Sequence, residues 1–541
     1  ASAFYYASGL TSITIPSTVT SIESSAFYYA SGLTSITIPS SVTSIGSSAF
    51  YYATNLQLVE FAPNSSLTTF SNYLFRKATS LTSITIPSSV TSIENSVFRS
   101  ATSLTSITIP SSVTSIGSDA FRSATSLVSI TIPSSVTSIG SDAFRSTTSL
   151  VSITVDSTNS TYDDVNGVLF NKDKTTLIQF PNGWNGTTYT IPDGVTSIDN
   201  NAFSYMTSSR TIIIPQSVTT IGRNAFYYSS GLTSITIPST ITSIASNMFG
   251  SSGLTSITIP STVTSIEDAV FTNASNLTSI TFSEDSQLNS IGRYAFQGAS
   301  SLTSIIIPVG VTSIRDNTFN NASSLTSVTI SQDSQLNSIG ENAFRGANSL
   351  TSISIPSTVT SIGINAFKDA RSLSSVIFDN IYNSQLTYIN QNTFNGCTAL
   401  QSINIPPLVS WVRQNAFPGS GVTVPTFNIE QMTDGPASDT STNKGYPGSL
   451  YVPTNANSWW MSPNMSVQAI GYKIFDPANS NDSTLTENAV NTDVGRSINN
   501  ADGVGNTVYS MATILAIKYT LANTDADAFN GIITNPLGGS G

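Results

Sequence analysis

Tyr5, Tyr28 and Tyr51, and then Arg76, Arg99, Arg122 and Arg145, each stand directly after a phenylalanine, at steps of 23 or 25 residues. Tyr227, Arg345 and Lys368 hold the same place later in the chain. Residues that recur at one spacing share one face of the repeating unit, so these form a file. Four guanidiniums in succession repel one another. That suits a sulfated or carboxylated ligand or an acidic partner, because Arg grips oxyanions through paired N–H donors. An internal partner is also at hand: Asp119 and Asp142 lie three residues before Arg122 and Arg145, spaced to pair with them on a solvated face. The doubled tyrosines Tyr5–Tyr6, Tyr28–Tyr29, Tyr51–Tyr52 and Tyr227–Tyr228 suit sugar-ring stacking, a subunit interface or half-buried packing.

Other reactive chemistry is scarce. There is no histidine and Cys397 is the single cysteine, which excludes a disulfide framework within one chain and a His or Cys metal site. The chain lacks a Gly-rich phosphate loop, and its acids are scattered over equivalent loops, so no catalytic residue, cofactor or metal ligand is assigned. Glu284–Asp285, Asp333 and Asp163–Asp164 lack the alternating ligand spacing of a calcium loop. Residues 499–510 carry an Asp-Gly turn but no Glu at the twelfth place. Eight Asn-x-Ser/Thr sequons occur, at Asn64, Asn159, Asn185, Asn273, Asn276, Asn321, Asn464 and Asn481; they matter only where a eukaryotic secretory route handles the chain.

The elements that position the file are set by repetition. LTSITIPSSVTSIGSDAFRSATS at 104–126 is followed by LVSITIPSSVTSIGSDAFRSTTS at 127–149, and seventeen phenylalanine anchors from Phe4 to Phe417 carry this phrase through the chain. Ile107 and Ile109 alternate with Ser106 and Thr108, which predicts a short strand with isoleucines inward and hydroxyls outward, closed by Pro110. VTSIG predicts a second, shorter strand, and SDAFRSA one turn of α- or 3₁₀-helix carrying the buried Phe. Such a unit cannot bury its apolar face alone, so the coils must stack into a solenoid with parallel strands. Where a coil is longer, at 61–71, 282–292, 330–340 and 378–390, the extra residues fall between the two strands, in a surface loop. The outward Ser and Thr, such as Ser12, Thr14, Ser35 and Thr37, form two parallel hydroxyl files, from which a minor alternative follows, an ice-binding solenoid testable by thermal hysteresis.

Bulk properties agree. Only 9% of the 541 residues are charged, against a typical quarter, and the net charge is −11. An acidic chain without a basic face disfavours nucleic acid and anionic lipid as partners. No run of eighteen apolar residues occurs, so no membrane span is expected. The first residue is Ala1 without a basic, apolar leader, as expected of a processed mature protein or of a chain that begins partway through a longer one.

The skeleton L-x-x-I-x-I-P-x-x-V-x-x-I-x-x-x-A-F over residues 1–424 resembles the BspA-like leucine-rich repeats of bacterial surface proteins, which also occur in some protists and large viruses. VNGVLFNKDKTTLIQFP (165–181) looks like that family's inserted β-hairpin, turning at Asn171–Lys174, and GSLYVPTNANSWW (448–460) like its last strand and cap. Departures are visible too. Thr18, Ser41, Ser89, Ser112 and Ser135 stand where an ordinary leucine-rich repeat has an Asn ladder. Ser209 takes a leucine position and is followed by Arg210, which predicts a looser coil.

With the resemblance, the chain divides into a BspA-type leucine-rich repeat solenoid at 1–424 with a hairpin insert at about 156–192, last strands and a cap at 425–475, and a non-repeat tail at 476–541. The tail carries one helix, expected over 508–522, for attachment or assembly. The resemblance implies a secreted or surface-displayed module without catalytic residues that recognises host or matrix proteins or glycans. The alternative is a structural subunit of an extracellular filament, sheath or virus-particle surface. The first coil, starting at ASAFYYASGL without a polar cap, suits head-to-tail self-association in that case.

Overall fold

The computed structural model describes residues 1–427 apart from 332, 407, 410, 414 and 423, together with the strands Ser449–Val452 and Thr507–Ser510. The chain forms two compact units, residues 1–263 and 264–541. The repeats of both are coils of a parallel β-solenoid, and each unit is described by itself.

In the first unit the phrase at 104–126 forms a long strand, Ser106–Thr108, and a short one, Ser115–Ile116. The long strand lies parallel to Ser83–Thr85 of the preceding coil with Ser83 opposite Ser106, and the short one parallel to Ser92–Ile93 and Ser138–Ile139. Alternation places Ile107 inward and Ser106 and Thr108 outward, as the pattern predicts. The second unit repeats the arrangement: Ser304–Ile307 lies parallel to Ser327–Ile330, and Ser313–Ile314 to Ser338–Ile339. Inside the coils the phenylalanines form spines of stacked rings. In the first unit Phe98 and Phe121 have centroids 5.4 Å apart, and in the second Phe296 and Phe319 are 5.3 Å apart at 4°.

The segment around each phenylalanine corrects the expected turn of helix. Asp119 and Ser123 have φ of 57° and 60°, a left-handed conformation that a right-handed helix cannot contain. The N–H groups of Ala120, Arg122 and Ala124 donate three residues back, to the carbonyls of Gly117, Asp119 and Phe121 at 3.3, 3.1 and 3.0 Å. Those of Asp119, Phe121 and Ser123 donate to the next coil, at Ser141, Ala143 and Arg145, at 3.0, 2.8 and 2.9 Å. Three linked turns, the first and last with a positive-φ third residue, thus replace the helix, and half of the donors bind the stack. The only 3₁₀ segment among the described residues is Ile381–Asn383, in an enlarged loop.

The left-handed pair, two residues before and two after the phenylalanine, recurs at all seventeen anchors. Asn and Gly, which tolerate this conformation, fill both places at Phe344 (Asn342, Gly346) and Phe394 (Asn392, Gly396), whereas Ala269 has neither advantage. Ala269→Gly is therefore expected to raise stability by about 1 kcal/mol. An unchanged urea midpoint would show that the left-handed backbone is not strained there.

Hydroxyls take over the ladder that the sequence lacks. Ser41, Ser89, Ser112 and Ser135 donate to the carbonyls of Val19, Leu67, Val90 and Val113 in the preceding coil at 2.6–2.7 Å. In the second unit Thr358 does the same to Leu336 at 2.6 Å. Thr105 sends both its N–H (3.0 Å) and its hydroxyl (3.2 Å) to the carbonyl of Thr82. Much of the Ser and Thr content thus satisfies backbone acceptors between coils. The enlarged loops close on one device: Ser65, Ser286, Ser334 and Ser384 accept the N–H of Leu67, Leu288, Leu336 and Leu386, each of which is buried.

The insert is a three-stranded meander. The expected hairpin is present as Val168–Asn171 and Thr176–Gln179, turning at 172–175. Tyr162–Val165 adds a strand before it, through a two-residue turn at Asn166 (φ 54°) and Gly167 (φ 77°), the Asn-Gly hairpin signal. Thr176–Gln179 then lies parallel to Ser197–Ile198, which returns the chain to the stack. Phe180 is buried, stacks on Phe203 at 4.9 Å and donates its N–H to Ala202, the bond Phe121 makes to Ala143. It is a further anchor, one regular step of 23 residues before Phe203.

The coil of Ser209 is closed rather than loose. Gly186 and Ser209 replace leucines in two successive coils, and the volume is filled from elsewhere. The Trp184 ring lies where a side chain of Gly186 would go, 2.1 Å from an added Cβ. Arg210 pairs across the sheet with Leu232, turns inward and is 5% exposed. Its Nε donates to the carbonyl of Gly186 at 3.3 Å and its Nη2 to that of Trp184.

Beyond the repeats, Ser449–Val452, within the segment expected to hold the last strand, is extended and pairs antiparallel with Thr507–Ser510. The first residues of the helix expected over 508–522 are therefore extended, in keeping with the β-branched and aromatic Thr507, Val508 and Tyr509. The rest of that helix lies outside the described residues.

Candidate functional site

The file after the phenylalanines lies on the turn side of the first unit's coils. Tyr5, Tyr28 and Tyr51 stack with centroids 4.9 Å apart and planes within 7°. A second file, Tyr6, Tyr29 and Tyr52, runs beside it at 4.8 and 4.2 Å. Parallel rings at this spacing cover each other's faces, so edges and hydroxyls point to solvent. The inner rings thus pack on their neighbours, whereas the first rings of the two files, Tyr5 and Tyr6, are 48% and 57% exposed.

Cations continue both files. The Arg76 guanidinium lies 5.3 Å from the Tyr51 ring and 5.5 Å from that of Tyr73. Lys77 Nζ sits 4.2 Å from the Tyr52 ring and donates to its hydroxyl. That donation, the largest cause, holds the Tyr52 phenol below its usual pKa, while desolvation first, then the hydrogen bond with Tyr52, pushes Tyr29 up to about 12. Both Arg99 and Arg122 reach Asp119 at 3.1 Å, and Arg145 reaches Asp142 at 3.2 Å. Asp142 also accepts the side-chain amide of Asn201 at 2.8 Å, and Arg145 lies 5.3 Å from the Tyr205 ring. Desolvation lowers the pKa of Arg99 despite Asp119 beside it.

The structure thus brings Tyr5, Tyr28, Tyr51, Arg76, Arg99, Arg122 and Arg145 into one band. Tyr227 joins its edge through Tyr205, at 6.5 Å and 87°. Spacing does not flag Lys77 and Tyr205, one place off the file, or Tyr73, three places off it. Arg76, Lys77, Arg99, Arg122 and Arg145 against Asp119 and Asp142 leave a net positive band in a chain of charge −11. The side chains of these ion pairs are only 13–26% exposed.

Other candidates sort by geometry. Asp163 pairs with Lys174 at 3.3 Å, and Asp164 accepts the N–H of Val155 and Gly167. Among the described residues no group of three or more His, Cys, Asp or Glu is placed to hold a metal ion, and no helix is long and apolar enough to cross a membrane. The sequon at Asn159 is closed: the side chain is 1% exposed and its amide donates to the carbonyls of Pro133 and Val136 at 2.7 and 3.0 Å. Asn464 and Asn481 lie outside the described residues. Cys397 is buried, and desolvation pushes its thiol up to about 12.

Coils of two parallel strands around a phenylalanine spine, tied by ladders of side-chain hydroxyls, define a leucine-rich repeat solenoid. The chain belongs to the BspA-type leucine-rich repeat family, whose region of six copies matches residues 1–127, 92–189, 178–287, 274–383 and 380–435. Among solved structures, a leucine rich cell surface protein from Faecalibacterium prausnitzii is 28% identical, covering 67% of this chain and 86% of that one, with a TM-score of 0.39. A leucine-rich repeat protein from Bacteroides ovatus is 26% identical over 73% and 87%, with a TM-score of 0.41. The pneumococcal vaccine antigen PcpA is 24% identical over 68% and 87%, with a TM-score of 0.46. No curated protein matches the chain significantly.

Proposed function

We propose that this is a non-enzymatic, extracellular or surface-exposed repeat protein that adheres to sulfated or carboxylated glycans, or to acidic proteins, through the band from Arg76 to Arg145. The observation that carries this reading is the concentration of five cations along one edge of an acidic chain, with only two carboxylates among them. Membership of a family of surface-displayed repeats supports the location. Asp119 bridges Arg99 and Arg122 and Asp142 orients Arg145, and both are displaced when sulfate or carboxylate groups arrive at a spacing close to that of the coils. Heparin affinity is the direct test. Changing Arg76, Arg99, Arg122 and Arg145 together to Ser is expected to weaken binding at least about tenfold and to flatten its salt dependence. Arg345→Ser, in the second unit, serves as the control. Binding that survives the fourfold change removes the band as the site.

A further inference from the structure

We propose that Tyr5, Tyr6, Tyr28, Tyr29, Tyr51 and Tyr52 form an oxidative cross-linking site, in which phenols of adjacent coils join as dityrosine when a haem peroxidase and hydrogen peroxide act on the chain. The inference is independent of the ligand-binding reading and rests on three observations.

The first is proximity. Each ring has a partner in the neighbouring coil at 4.2–4.9 Å, with interplanar angles of 5–17°. Tyr5–Tyr6 and Tyr51–Tyr52 meet edge-on within their coils at 4.7 Å. The carbons ortho to the hydroxyls therefore need only a slide or rotation of the rings to meet. The second is access. Tyr5 and Tyr6 are 48% and 57% exposed, and the other four are half-buried with their rims to solvent. The third is that sulfur is sheltered: among the described residues Cys397, Met206 and Met248 are fully buried. The shortest separation is that of Tyr29 and Tyr52, at 4.2 Å.

The step balances as follows. Each of two phenols gives up one electron and one proton. The two radicals couple through a new carbon–carbon bond between ring carbons ortho to the hydroxyls, and the ortho hydrogens shift to the oxygens to restore both phenols. The two electrons and two protons reduce one hydrogen peroxide to two waters. The product is a covalent staple between the turn segments of consecutive coils, additional to the parallel pairing of their strands.

The experiment treats the full chain, at low concentration, with haem peroxidase and hydrogen peroxide. It follows the blue fluorescence of dityrosine and the loss of two hydrogen atoms per link by mass. Proteolysis after glutamate cuts at Glu23 and Glu60, so a link between the first two coils joins fragments 1–23 and 24–60. The expected result is a monomeric, fluorescent product containing that joined pair. Replacing all six tyrosines by Phe keeps the stacked rings but removes the coupling hydroxyls, and is expected to abolish most of the fluorescence while leaving circular dichroism unchanged. Fluorescence that persists in this variant, links that map to Tyr205, Tyr227 or Tyr228 instead, or a product consisting mainly of covalent dimers would each overturn the proposal.

Discussion

Phe319→Ala is expected to lower stability by about 3–5 kcal/mol, the range for removing a fully buried aromatic side chain from a core that cannot collapse. Phe319 is 0% exposed and lies between Phe296 and Phe344, with centroids 5.3 and 5.2 Å away at 4° and 8°. The coils on either side are held at their spacing by strand pairs such as Ser304 with Ser327 and Ser327 with Ser352. The neighbouring rings therefore cannot close the gap without breaking those pairs. Because stability in a repeat array is largely a sum of nearest-neighbour terms, the loss falls on two interfaces at once. Urea unfolding read by circular dichroism checks it. A cost under about 1 kcal/mol would mean that the ring stack is not what binds the coils.

The second large effect concerns the buried cation. Arg210→Ala is expected to cost about 3 kcal/mol, because it empties a core position and leaves two carbonyls, those of Gly186 and Trp184, without their donors. Arg210→Leu separates the two causes. Leucine is the residue opposite it in the next coil, Leu232, so it restores apolar packing and removes a desolvated charge, and it is expected to fall within about 1 kcal/mol of the parent. Equal losses in both variants would assign the whole effect to the hydrogen bonds. No loss in either would show that the guanidinium fills space without holding the coil.

Much of this architecture is legible in the residues. The alternation of Ile107 and Ile109 with Ser106 and Thr108 locates the long strand, and the constant interval to Phe121 locates the spine, because both depend only on which side chains avoid water. The turn geometry around each phenylalanine is not legible in the same way. Ser, Tyr, Asp, Lys, Ala and Asn all occupy the left-handed places, and the cause lies in hydrogen bonds to the adjacent coil rather than in local preference. Phe180 keeps the 23-residue step to Phe203 but lacks the repeat phrase: it follows directly on the strand Thr176–Gln179 and has Gln179 where most anchors have Ala. Arg210 was misjudged because its inward turn follows from the missing leucine at Gly186, which lies one coil away. For the candidate band, the file of Tyr and Arg was readable from spacing. The covering of one ring's face by the next was not, since it depends on the distance between coils.

The hydroxyl ladder bears on how such a chain can change its length. Ser112 reaches back to Val90 and Ser135 to Val113 through the same contact, so each of these hydroxyls looks only to the coil before it. Excision or duplication of a 23-residue block at any phase hands every hydroxyl an equivalent carbonyl. Gene segments encoding these near-identical phrases are natural substrates for unequal recombination. The number of coils is thus free to drift under selection for reach, while the chemistry of each joint stays the same.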